Sequence, residues 1–158
     1  MRAVLENKHG GAEVLEISEV EKPSVDKGQI LLKVRAAGIN RADALQRRGL
    51  YPVPVGESSV LGLEVAGTVV GVGEGVSAEL INQNRMALLG SGGYAEYVAV
   101  NLEHTLPIPQ NLSPAEAAGI MEVAATVYSN LVMAAGISTQ LSENQGKTAL
   151  VHGGTGGI

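Results

Sequence analysis

Short apolar stretches separated by turn residues fill the first two thirds of the chain. They predict β-strands, because runs of this length with partial alternation suit half-buried strands. The predicted strands lie at residues 2–5, 15–20, 29–36 and 66–73. Turns are predicted at Gly10-Gly11, Pro23-Ser24 and Asp26-Lys27-Gly28. Glycines spaced through the last strand fit a bulge or a tight curve. The pattern as far as Pro109 therefore predicts an all-β region that curves as barrels do.

The pattern changes to that of a helix at residue 113. Ser113 can cap the helix, Pro114 suits its first position, and Glu116 completes a capping box. Apolar residues then cover much of the circumference as far as Ala135, and Gly136 is a plausible stop. Such a distribution predicts one long helix buried between layers.

A polar connector at 138–147 leads to a short apolar run, Thr148–His152, which reads as a buried strand. The residues Gly153, Gly154, Thr155, Gly156 and Gly157 follow it. A strand that runs into a glycine-rich loop binds dinucleotides when a helix and parallel strands accompany it. The loop alone is weak evidence, and a flexible glycine-rich segment is the alternative. We therefore expect two parts, a domain at 1–112 and the incomplete start of another at 113–158.

Composition narrows the class of protein. The chain has 158 residues, of which 45% are hydrophobic and 17% charged, and such a mixture folds into a soluble globule. The formal charge of −5 argues against a nucleic-acid partner. Without cysteine there is no disulfide and no thiolate metal site. Neither a secretory signal nor a membrane span is evident, so we expect a cytoplasmic protein without a membrane partner.

Several motifs resemble the medium-chain dehydrogenase/reductase superfamily. The segment 62–67, Gly-Leu-Glu-Val-Ala-Gly, is similar to a Gly-His-Glu-x-x-Gly motif whose histidine binds catalytic zinc. Leu63 stands at that position and has no lone pair to offer, so the usual zinc site cannot form. Further segments look like the zinc-free quinone oxidoreductase branch, at 40–43, 46–52, 92–98, 122–128 and 151–157. One segment departs from the pattern: Gln-Asn-Arg-Met at 83–86 replaces the usual Gly-Asp-Arg-Val, which leaves the turn geometry there open.

The resemblance implies a fold that is mainly β with α. It would be a GroES-like β-barrel followed by the opening helix and first strand of a truncated Rossmann domain. It also implies NADPH as cofactor, a quinone or other electrophilic small molecule as substrate, no metal, and a homodimer. Since the active site would use residues from both domains, we expect the 158-residue chain to be inactive alone.

The resemblance also suggests site residues. Tyr51 would contact the substrate oxygen, with Asn40 beside it on the same loop system, and we predict both residues as catalytic. Asn40, Thr126 and the loop 153–157 would bind the cofactor. For Tyr51 the alternative is packing at a barrel edge, and for Thr126 it is packing within a helix.

Other polar residues favour structural roles. Asp43 and Arg47 are expected to hold their loop by a salt bridge. Tyr94 and Tyr97 are expected to pack in the barrel. His152 would be a hydrogen-bonded core residue. Glu64 stands where the zinc-binding relatives keep an acid, and without a metal its alternative role is to brace the loop.

Two other functions remain open from the sequence. Related zinc-free enzymes reduce the double bond of an enal or enone, and the residues present do not separate that reaction from quinone reduction. A GroES-like barrel could also act as a non-enzymatic binding module.

Overall fold

The computed structural model describes residues 1–56, 58–154 and 156. The chain forms two compact units, Met1–Met121 and Glu122–Ile158. The first unit, predicted from the sequence to end at residue 112, also includes the start of the helical region.

The residues that the structure describes form seven strands and three α-helices. The strands are β1 Arg2–Glu6, β2 Leu15–Glu19, β3 Gln29–Ala37, β4 Glu64–Val72, β5 Asn84–Leu88, β6 Tyr97–Asn101 and β7 Thr105–Pro107. The α-helices are α1 Arg41–Arg47, α2 Pro114–Ala117 and α3 Met121–Tyr128, and a π-helical segment follows at Ser129–Ala134. Short 3₁₀ turns lie at Ala12–Val14, Ala78–Leu80, Leu102–His104 and Leu141–Asn144.

The larger sheet has five antiparallel strands in the order β6-β3-β4-β5-β7. The strands β1 and β2 form a separate antiparallel ribbon, which the isolated bridge Ala3↔Ala95 joins to the segment before β6. The pairing of β3 with β4 shifts register twice, between Leu31 and Leu32 and between Val34 and Ala36. Such irregularities bend a sheet. The four strands predicted from the sequence are confirmed as β1, β2, β3 and β4.

The core of the first unit lies on the central strands. Ile30 and Leu32 on β3 pack with Val65 and Val69 on β4, and all four side chains are fully buried. Burying an aliphatic side chain of this size stabilises a fold by about 1.5–3 kcal/mol. Aliphatic residues fill this core because the chain has no phenylalanine or tryptophan.

The helix α2 packs on the sheet through small residues. Ala117 and Ala118 lie against Ala66 and Met86. Its predicted capping box is confirmed, because Ser113 N–H donates to Glu116 Oε2 at 2.8 Å. This contact anchors the chain at the end of the first unit.

The prediction of one buried helix from 113 to 135 is wrong in two respects. The helix is interrupted, since α2 ends at Ala117 and α3 begins at Met121, with Gly119 in the gap. Glycine weakens a helix by about 1 kcal/mol relative to alanine, which favours a break there. The second part is also exposed rather than buried. The side chain of Met133, for example, is 75% exposed. The predicted stop is confirmed at Gly136, whose φ of +67° is left-handed.

The predicted strand Thr148–His152 is also wrong. Those residues form no strand, and Leu150 and Val151 are 81% and 61% exposed. A strand needs a neighbour to satisfy its backbone groups, and the described residues of the second unit contain no strand to provide one. His152 is likewise exposed and does not lie in a core.

One stretch of the chain bears on the prediction that no segment spans a membrane. By length and hydropathy alone, the stretch Pro114–Ala134 could cross a membrane. Core helices of soluble proteins meet the same criterion, so this is weak evidence for a membrane.

Candidate functional site

The ends of β3 and β4 bring the predicted site residues together. In the antiparallel register Ala37 faces Val65, so the segment after β3 lies beside the start of β4. The N–H of Gly38 donates to the carbonyl oxygen of Glu64 at 3.1 Å. The sequence therefore places Asn40, two residues further on, next to the side chain of Glu64.

Asn40 is held at both its backbone and its side chain. It is the N-cap residue of α1 and forms a capping box with Asp43, whose Oδ2 accepts from the Asn40 N–H at 2.7 Å. Its side-chain Nδ2 donates to Glu64 Oε1 at 2.9 Å. A carboxylate accepts hydrogen bonds and does not donate them, so this contact fixes which end of the Asn40 amide faces Glu64.

Tyr94 completes this group. Its hydroxyl donates to Asp43 Oδ2 at 2.6 Å, and the carbonyl oxygen of Gly38 lies 3.3 Å from the same hydroxyl. Burial raises the pKa of the Tyr94 phenol well above its usual value, and the hydrogen bond to Asp43 and the charges of Asp43 and Glu64 raise it further. The phenol therefore stays protonated near neutral pH and remains a donor. We call Asn40, Asp43, Glu64 and Tyr94 the Asn40 network.

The two carboxylates of the Asn40 network are deeply buried. Glu64 is 2% exposed and Asp43 is 6% exposed. Buried carboxylates require hydrogen-bond donors to offset the loss of water, which is the role that Asn40 and Tyr94 fill. The expected salt bridge from Asp43 to Arg47 is absent between these two described residues. Asp43 instead accepts a hydrogen bond from the Tyr94 hydroxyl.

Glycines make room for this arrangement. A Cβ on Gly38 would press against the Glu64 carboxylate and would lie 2.6 Å from the carbonyl oxygen of Ala118. Gly62 has a φ of +105°, and a Cβ there would lie 2.8 Å from the Tyr94 nitrogen. Both positions therefore require glycine, because the backbone and the carboxylate approach too closely for a side chain.

A pocket of about 730 Å³ opens beside the network. Asn40, Asp43 and Tyr94 are among the residues that line it, and aliphatic side chains such as Val34 and Ile39 form much of its wall. A few polar groups in an apolar concavity are typical of small-molecule sites. Three of the four residues of the network therefore line this pocket.

No hydrogen bond joins Tyr51 to the network. Its side chain is 40% exposed, and its hydroxyl makes no hydrogen bond to any residue that the structure describes. It lies in an irregular stretch after α1. The role of Tyr51 as a substrate contact stays a prediction.

Leu63 occupies the position of the family's zinc-binding histidine and is buried at 6% exposure. Within the described residues, no group of three histidine, aspartate or glutamate side chains could hold a metal ion. An aliphatic side chain cannot act as a ligand, so this part of the unit is built for packing.

The other predicted cofactor residues lie in the second unit. Thr126 lies on α3, where its hydroxyl donates to Glu122 Oε1 at 3.3 Å. Gly153 has a φ of +67°, and nothing lies within 4 Å of where its Cβ would be. An open glycine backbone of this kind fits the close approach of a phosphate. Gly154 and Gly156 are also exposed, while Thr155 and Gly157 lie outside the described residues.

The sequence singles out Asn40 as a candidate but gives no sign of its link to Tyr94. The Asn-x-x-Asp spacing at 40–43 is a visible capping signal. No local signal connects Tyr94 to Asp43, because they are 51 residues apart and meet only through the sheet.

Comparisons with known proteins identify the family of this chain. The model of the alcohol dehydrogenase GroES-like domain matches residues 26–110. A quinone oxidoreductase of Lama guanicoe is 36% identical over 162 residues, which covers 100% of this chain and 47% of that protein. The chain therefore spans about half the length of this relative.

Solved structures show the same fold. The human synaptic vesicle membrane protein VAT-1 homolog-like protein superposes with a TM-score of 0.79 at 30% identity, covering 85% of this chain and 44% of the other. The Escherichia coli quinone oxidoreductase complexed with NADPH superposes with a TM-score of 0.75 at 29% identity, covering 85% and 41%. The chain belongs to the alcohol dehydrogenase GroES-like domain family, in the quinone oxidoreductase branch of the medium-chain dehydrogenase/reductase superfamily.

Proposed function

We propose that this chain supplies the substrate-side domain of a longer NADPH-dependent reductase that transfers a hydride to a quinone. The observation that carries the proposal is the Asn40 network, in which an amide donor is held in place by two buried carboxylates. The quinone oxidoreductase relatives support the same activity. In the longer protein, NADPH supplies the hydride when it is bound.

The role of Asn40 is to donate a hydrogen bond to the substrate carbonyl oxygen. One Nδ2 hydrogen is committed to Glu64, which leaves the second for a ligand. Negative charge develops on the carbonyl oxygen as the hydride arrives, and a fixed donor stabilises that charge without having to reorganise. Asn40 is therefore the residue that we assign as catalytic.

The surrounding charges favour a quinone over a simple ketone. Asp43 and Glu64 lie beside the donor, and two carboxylates disfavour a localised alkoxide by charge repulsion. A quinone spreads the incoming charge over its ring, so it needs less help from the protein. Leu63, in place of the zinc ligand, fits the same substrate, because a metal is not required to hold an alkoxide.

Other residues complete the proposal. Tyr51 is a second candidate for the substrate oxygen. Thr126 and the loop 153–157 would hold NADPH, with the exposed glycines against its phosphates. A homodimer and a cytoplasmic location, both implied by the family resemblance, belong to the proposal as well.

The test is the steady-state reduction of benzoquinone and naphthoquinone by the full-length protein that carries this sequence. The loss of NADPH absorbance reports the rate. We expect Asn40→Ala to lower kcat by about 10-fold, less than the 100-fold typical when a donor to a localised oxyanion is removed. Asn101→Ala is a matched control, because Asn101 is exposed at the end of β6 and its side chain makes no cap hydrogen bond.

A conjugated enone assayed in parallel separates the second candidate reaction. If the protein turns over the enone and neither quinone, the proposed reaction becomes double-bond reduction and quinone reduction is refuted. No turnover of either substrate class would leave the domain as a binding module and refute the enzymatic proposal.

A further inference from the structure

We propose that Asp43 and Tyr94 are positioning residues that set the orientation of Asn40 in the reaction. This inference rests on the proposed function, in which Asn40 is the hydrogen-bond donor to the substrate. It adds that the donor works only because a tyrosine from a distant part of the chain fixes the aspartate that completes the capping box with Asn40.

The contacts form a chain of two steps. Asp43 Oδ2 accepts from the Asn40 N–H at 2.7 Å and from the Tyr94 hydroxyl at 2.6 Å, so one oxygen joins the two residues. Asp43 Oδ1 is buried and has no partner among the described residues. The carboxylate is thus held through a single oxygen, and its orientation depends on both donors.

Tyr94 is itself fixed by its backbone. Its N–H donates to the carbonyl oxygen of Leu61 at 2.8 Å, and its carbonyl oxygen accepts from the N–H of Val4 at 2.8 Å. The phenol hydroxyl therefore has a set position relative to the sheet. Since burial and the nearby carboxylates keep it protonated, it donates to Asp43 across the neutral pH range.

Loss of the hydroxyl would leave Asp43 with one donor in a buried position. A buried carboxylate that is short of donors turns towards water or another partner. The Asn40 N–H would then lose its short contact, and the N-cap residue would gain freedom at the point where it meets the substrate. Misplacing a catalytic group by a small distance lowers kcat far more than it weakens binding.

The kinetic test uses the full-length protein with benzoquinone. We expect Tyr94→Phe and Asp43→Ala to lower kcat about 5- to 10-fold with KM changed less than about 2-fold. Asp43→Asn keeps an accepting oxygen and should restore most of the activity. Tyr97→Phe is the matched control, because Tyr97 lies on β6 and its ring contacts Lys22, 4.1 Å from the ring centroid.

A double-mutant cycle separates positioning from general destabilisation. If Tyr94 acts through Asn40, the double variant Tyr94→Phe/Asn40→Ala should be no slower than Asn40→Ala alone. Losses that multiply would overturn the inference, as would a fall in kcat for Tyr97→Phe as large as that for Tyr94→Phe.

A second readout uses the 158-residue chain and does not require activity. The backbone amide proton of Asn40 should resonate downfield in NMR spectra, because it bonds to a carboxylate at short distance. We expect it to move upfield in Tyr94→Phe and to stay in place in Tyr97→Phe. An unchanged Asn40 amide in Tyr94→Phe overturns the positioning role whether or not quinones are reduced, whereas absent turnover in the unmodified protein overturns the quinone proposal.

Discussion

The substitution Gly67→Ala tests how closely β3 and β4 must approach. Gly67 pairs with Val34, next to the register shift between Val34 and Ala36. A Cβ at Gly67 would lie 2.5 Å from the carbonyl oxygen of Lys33 and 3.2 Å from the Cα of Val34. These atoms belong to the backbone of a central strand, so they cannot swing aside as a side chain would.

The size of the effect follows from these distances. An ordinary contact begins at 3.4 Å, so the strands would have to separate by about 0.9 Å at this point. Overpacking of this kind costs about 1–3 kcal/mol of the free energy of unfolding. For a unit of this size, that corresponds to a fall in Tm of about 4–12 °C. The same shift would disturb the Asn40 network, because β3 leads to Asn40 and β4 begins with Glu64.

The assay is urea unfolding of the 158-residue chain, with circular dichroism as the signal for unfolding. Gly119→Ala is the matched control, since nothing lies within 4 Å of its Cβ position and its φ is not left-handed. We expect the control to be neutral or to gain up to about 1 kcal/mol from helix propensity. A Gly67→Ala midpoint equal to that of the unmodified chain would refute the argument, and so would an equal loss in both variants.

Three further predictions concern pH, metal and assembly. Because the pKa of Tyr94 is raised on folding, its stabilisation is present below pH 10 and lost as pH rises through the folded value. With no tryptophan present, ultraviolet absorbance can follow tyrosine ionisation, and a late contribution to it should disappear in Tyr94→Phe. Exhaustive treatment of the full-length protein with a chelator should leave quinone turnover unchanged, and a loss restored by zinc would contradict the metal-free proposal. The exposed apolar side chains of the second unit, such as Met133 and Leu150, should cause the 158-residue chain to self-associate. Light scattering that shows a monomer at all concentrations would count against this.

The sequence predicted the parts of the fold that local rules determine. The strands β1 to β4 follow apolar runs bounded by turn residues, and the capping box at Ser113 follows a spacing of three residues. The strand at 148–152 was predicted by the same local rule, but a strand also depends on a partner that the described residues lack. Local pattern therefore predicts strand tendency and not strand formation.

The contacts of the candidate site likewise divide into one between residues close in the sequence and others that join distant parts of the chain. Asn40 and Asp43 are three residues apart, so their capping contact can be anticipated from the sequence. The contact of Asn40 with Glu64 depends on the register of β3 with β4, and the contact with Tyr94 joins residues far apart in the chain. Those contacts depend on the folded sheet. The predicted salt bridge from Asp43 to Arg47 was wrong because a tyrosine hydroxyl fills that role.

The most direct test of the central claim is the rate of hydride transfer in a single turnover of the full-length protein. Asn40→Ala and Asn101→Ala would be mixed with deuterated and undeuterated NADPH and with benzoquinone. We predict a rate about 10-fold lower in Asn40→Ala, with an isotope effect showing that hydride transfer limits that rate, and no change in Asn101→Ala. A hydride-transfer rate in Asn40→Ala equal to that of the unmodified protein would contradict the assignment of Asn40 as the donor to the substrate.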